Sequence, residues 1–169
     1  MDAFFQINGK KNDPNFISMK MFNEALKRKK SNDQRSLSPF KENLDLFYLS
    51  LLVGLKFNVK SEIDHYELGE LTDEWTKELS ENSNAKDYII ALYLIQITKN
   101  EEDKSKIKII LNKSLDHKKR TTLSNNGLKE IHEYCFGGYE KILDYFEKQI
   151  PSSIVDFLVK YKKLIDSSA

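Results

Sequence analysis

His132 and Cys135, one helical turn apart in the stretch IHEYCFGGYEKILDYF, are the residues of this chain whose types and spacing come nearest to chemistry. Positions three apart share a helix face. A thiol and an imidazole so placed could act as nucleophile and base, or hold a metal ion with Glu130 or Glu133 beside them. Each set is incomplete. A zinc site needs three or four ligands at compatible spacing, and neither His65 nor His117 has a partner motif. A nucleophilic pair needs a third group to orient its base. A lone cysteine on the apolar face of a helix reads as inert packing, with His132 on its flank. The expectation is therefore no catalytic residue, no metal and no cofactor, with a small enzyme using Cys135 and His132 as the rival.

Phosphate chemistry finds no more support. The chain has no GxSxG, GxxxxGK[ST] or GxGxxG loop. Gly137-Gly138 follows no strand and precedes no Lys-Ser/Thr, so it reads as a corner where two helices meet. Glu62, Asp64, Glu67, Glu70, Asp73 and Glu74 make residues 62–74 negative, but they are strung along what reads as a solvated helix face. Two basic clusters are the more usable signal: Lys27, Arg28, Lys29 and Lys30, and Lys118, Lys119 and Arg120 behind His117. Lysine and arginine near a last helical turn complement the helix dipole. If the two clusters met in space, they could hold phosphates non-specifically.

Composition limits the partners. The 169 residues are 40% hydrophobic and 31% charged, as in an ordinary globular protein, and the net charge of +1 gives no global pull toward nucleic acid or an anionic membrane. A single cysteine excludes an internal disulfide and fits a reducing compartment. Residues 1–14 lack the basic and apolar regions of a secretory signal, and no apolar run approaches the roughly 20 residues of a membrane span. A cytoplasmic location is expected.

The elements that would position these residues are helical. Leu44, Phe47, Tyr48, Leu51, Leu52 and Leu55 recur at helical spacing, while Leu46, Leu49 and Val53 cover the remaining surface, so residues 44–57 form a helix that other helices must wrap. Apolar periodicity predicts further helices at 18–30, 68–79, 88–98, 103–115, 128–136, 139–146 and 151–165, with a strand the alternative for 88–98, whose isoleucines are β-branched. Asn84 and Asp87 form a capping box ahead of the fourth, Asp103 caps the fifth, and Pro151 opens the last. The prediction is an all-α bundle of about seven or eight helices over residues 18–166. An irregular arm, 1–17, precedes it, with Phe4, Phe5 and Ile7 as an apolar cluster expected to dock on a partner, the alternative being its own bundle.

Two stretches carry a family resemblance. Phe40, Asp45, Phe47, Gly54, Leu55 and Lys56 make the first, and Glu133, Tyr134, Gly137 and Gly138 the second. Across residues 39–147 the chain resembles small accessory proteins encoded beside bacterial DNA-phosphorothioation systems. It is also similar in build to the small middle component of three-part defence systems organised around an ATPase of the structural-maintenance type. The resemblance implies an enzymatically silent subunit of an anti-phage complex that bridges or regulates a partner ATPase or nuclease. In the second case it also implies contact with DNA through the basic patches.

Overall fold

The computed structural model describes residues 43–62, 83–119, 122–147, 151 and 153–167. These residues form five helices and no strand: α1 (Asn43–Phe57), α2 (Ser83–Thr98), α3 (Lys104–Ser114), α4 (Asn125–Tyr145) and α5 (Ile154–Asp166). The predicted all-α character holds among them. The helices expected at 18–30 and 68–79 lie outside the described residues, as does the arm with Phe4, Phe5 and Ile7.

The count is also lowered by a correction. The two helices expected on either side of Gly137-Gly138 are one continuous helix, α4, and neither glycine takes a positive φ. The pair serves close approach. A Cβ on Gly138 would stand 1.9 Å from the Ser50 carbonyl oxygen, and one on Gly54 would stand 1.9 Å from that of Tyr134. A Cβ on Gly137 would stand 2.6 Å from the Val59 oxygen just past α1. Helices α1 and α4 therefore cross backbone against backbone, which only residues without a side chain permit. Around the crossing, Phe47, Leu51, Val53 and Leu55 of α1 are buried with Ile131, Cys135, Tyr139 and Ile142 of α4.

Helix α1 ends in a Schellman motif. The Val59 amide donates to the Gly54 oxygen at 3.0 Å and the Asn58 amide to the Leu55 oxygen at 3.3 Å, with Asn58 in the left-handed region at φ 52°. Leu52, expected in the core, is half-buried. Helix α2 is less wrapped than its composition predicts, since Tyr88 and Ile95 stand on an exposed face. It begins at Ser83, so Asn84 lies inside it and not ahead of it.

Asp103 caps α3 as expected, its Oδ1 accepting from the Ser105 amide at 2.8 Å. Ser124 caps α4, accepting from the Gly127 amide at 3.0 Å while donating to the Lys113 oxygen at 2.5 Å, which ties α4 to the end of α3. Leu115 and Leu123 close the connection with an isolated antiparallel bridge. Pro151, expected in the first turn, stands ahead of α5, and Ser153 supplies the cap, accepting from the Asp156 amide at 3.1 Å. Helix α5 is held by Phe157 edge-on to Phe146, with ring centroids 5.3 Å apart, and by the Tyr161 hydroxyl donating to the Leu49 oxygen at 2.9 Å. No helix among the described residues is long and apolar enough to cross a membrane.

Candidate functional site

The pair that sequence places nearest to chemistry is fully interior. His132 is buried under α1, its ring edge-on to Phe47 with centroids 5.6 Å apart, which corrects its reading as a flank residue. The hydrophobic spacing of α4 carries it inward, because position 132 falls between Ile131 and Cys135 on the buried side of the helix. Its Nδ1 lies 2.7 Å from the Leu128 oxygen, so that nitrogen carries the proton and donates. The bare Nε2 is buried without a hydrogen-bond partner among the described residues. Burial disfavours the imidazolium and outweighs the carbonyl that favours it, so the pKa of His132 falls below its ordinary value.

Cys135 is equally enclosed, its Sγ 3.6 Å from the Phe47 oxygen. Burial pushes its thiol well up, away from the thiolate that a nucleophile or a metal ligand requires. Among the described residues no three His, Cys, Asp or Glu side chains come together as a metal-ligand set. Of the basic clusters, Lys118 is exposed and Lys119 donates from its Nζ to the Asn125 side chain. Lys27, Arg28, Lys29, Lys30 and Arg120 lie outside the described residues, so whether the clusters meet is not part of the described structure.

The structure instead gathers a polar cluster at the junction of α2, α3 and α4. The hydroxyl of Tyr93, fully buried, donates to Glu130 Oε2 at 2.5 Å and lies 3.2 Å from the Ser114 hydroxyl, from which it accepts. Glu130 Oε1 accepts from Lys60 Nζ, which also sits 4.5 Å from the centre of the Tyr134 ring. Burial alone would raise the Glu130 carboxyl. The donors Lys60 and Tyr93 outweigh it and hold the group below the usual range, so it is ionised at neutral pH. Burial likewise raises the Tyr93 phenol, reinforced by the adjacent carboxylate.

The cluster borders a cavity of about 380 Å3, within the range of small-ligand pockets. Ile97 and Ile110 form apolar walls, and Ser114 and Asn126 contribute polar ones. Lys113, Lys129, Glu130 and Glu133 bring two charges of each sign, with Lys129 Nζ 3.7 Å from Glu133 Oε1. No sequence motif marks this site. Its residues come from four separate stretches, each with an ordinary spacing of its own, and only the fold joins them.

The chain matches no protein-family model, no curated protein and no solved structure.

Proposed function

We propose that this chain is a non-enzymatic interaction subunit of a bacterial anti-phage defence complex of the DNA-phosphorothioation kind, bridging or regulating a partner ATPase or nuclease in the cytoplasm. The observation that supports the reading is that the two stretches carrying the resemblance are the two sides of one helix crossing. Gly54 of the first lies on Tyr134 of the second, Gly138 lies on Ser50, and the Phe47 ring meets His132 on the same helix. Residues so placed form one packing unit, which supports reading the two stretches together.

A core of this kind supplies shape and leaves function to the surface. The outer face of α5 exposes Ile154, Val155, Leu158 and Val159, each between 43% and 65% accessible. Adjacent exposed apolar residues favour a contact role, and the enclosed thiol and unactivated imidazole weigh against the enzyme reading.

The test is recovery of the tagged chain from a host that carries its neighbouring genes, together with phage challenge of a deletion strain. The expected result is co-purification of an ATPase or nuclease, with loss of protection on deletion. Val155→Asp combined with Leu158→Asp should release the partner while leaving the helical spectrum unchanged. A chain recovered alone from a strain whose phage sensitivity is unaltered by deletion overturns the reading. ATP hydrolysis or DNA cleavage by the purified chain, abolished in Cys135→Ala or His132→Ala, replaces it with the enzyme.

A further inference from the structure

The charges around the α2–α3–α4 cavity are sorted by depth. Lys113 and Asn126 are exposed and Lys129 is half-exposed, so the donors form the rim. Glu130 and Glu133 are more enclosed, with side chains 32% and 21% accessible, so carboxylates lie further in. Ile97 and Ile110, half-buried, supply the apolar walls. A simple anion would meet the rim lysines but also two carboxylates behind them. A simple cation would meet the carboxylates but would pass two ammonium groups to reach them. Opposite charges stand side by side here, with Lys129 Nζ 3.7 Å from Glu133 Oε1, so a molecule with an ammonium group set deeper, a carboxylate beside it toward the rim and an aliphatic body answers all three features.

We infer that this cavity is a binding site for a small aliphatic amino acid or a zwitterion of the same shape, its ammonium group on Glu130 and Glu133 and its carboxylate on Lys113 and Lys129. Glu130 is already ionised and oriented by Lys60 and Tyr93, and each of its oxygens keeps a second acceptor position. The inner charge is thus fixed in place before the ligand enters, which limits the ordering cost of binding. Ser114 and Asn126 add neutral partners at the two depths. This site is independent of the partner reading above, because it lies on α2, α3 and α4 and not on α5.

The experiment is an amide chemical-shift titration of the full-length chain with L-leucine, 4-methylpentanoate and 3-methylbutylamine, the latter two being leucine without its ammonium group and without its carboxylate. Leucine should shift the resonances at the end of α3 and the start of α4. The two truncated probes should bind about tenfold more weakly or worse, as loss of a charged hydrogen bond implies. Lys113→Met and Glu133→Gln should each weaken leucine by a similar factor with an unchanged helical spectrum. Absence of shifts at roughly 10 mM leucine, where even millimolar binding would saturate the site, overturns the proposal. So does equal binding of 4-methylpentanoate or of the amine, which would mark a site for one charge alone.

Discussion

Placing one methyl group at Gly138 should damage this fold more than its size suggests. The built Cβ lies 1.9 Å from the Ser50 carbonyl oxygen and 2.5 Å from the Gly54 amide nitrogen, both backbone atoms that no rotamer change can move. Ordinary contact begins at 3.4 Å, so α1 and α4 must part by about 1.5 Å. A gap of even 0.5–1 Å forfeits about a quarter to a half of each dispersion contact across it. Overpacking of a core typically costs about 1–3 kcal/mol, and a backbone clash belongs at or above the top of that range. Alanine's better helix propensity returns about 1 kcal/mol. The net loss for Gly138→Ala is therefore about 2 kcal/mol or more, a lowering of the melting temperature by about 4–8 °C for a chain of this length. Urea unfolding followed by circular dichroism measures it, with exposed Ile109→Ala as the control. Gly54→Ala should cost a similar amount. The double variant should cost less than the sum, since helices already parted accept the second methyl more easily. A Gly138→Ala protein as stable as the parent would refute the backbone-on-backbone crossing.

Three further outcomes follow from side chains described above. His132 is neutral in the fold with its pKa depressed, whereas the unfolded chain takes up a proton near the ordinary value of 6.5. Its contribution is thus fully present above pH 6.5 and lost as pH falls below it. Urea midpoints between pH 7.5 and 5.5 should decline in the parent and stay flatter in His132→Phe. Tyr93→Phe removes the buried donor to Glu130 and should cost about 1–3 kcal/mol, while raising the Glu130 pKa in carboxylate-detected NMR. Phe157→Ala empties the contact with Phe146 and should cost about 3–5 kcal/mol, with loss of hydrogen-exchange protection concentrated in α5.

The helices were legible where hydrophobic period and capping chemistry agree. Asp103 ahead of α3 and the 3.6-residue stripe of α5 are examples, because both signals are local to the chain. Gly137-Gly138 misled because the same residue type serves a turn and a close approach. Nothing within α4 reveals that Ser50, far upstream, presses on it. His132 was misplaced for a related reason: a polar type suggests a flank, whereas the packing of α1 decides that this face is interior. The polar cluster of Lys60, Tyr93, Ser114 and Glu130 left no trace in the sequence. Tyr93 reads as one more apolar residue of α2, and Glu130 only as a carboxylate beside His132 and Cys135. Their partnership exists only once α2, α3 and α4 converge.

The glycine crossing also sets a timetable for synthesis. Gly54 and Gly138 are roughly 80 residues apart along the chain, and a ribosome adds about 5–20 residues per second. Helix α1, with Phe47, Leu51 and Val53 all destined for the interior, therefore waits about 4–16 seconds for its main partner to be made. Closing so long a loop is an entropic barrier that no local contact repays in advance. During that interval the nascent chain displays the most apolar of the described helices, and it is in this window that a ribosome-associated chaperone would find a substrate.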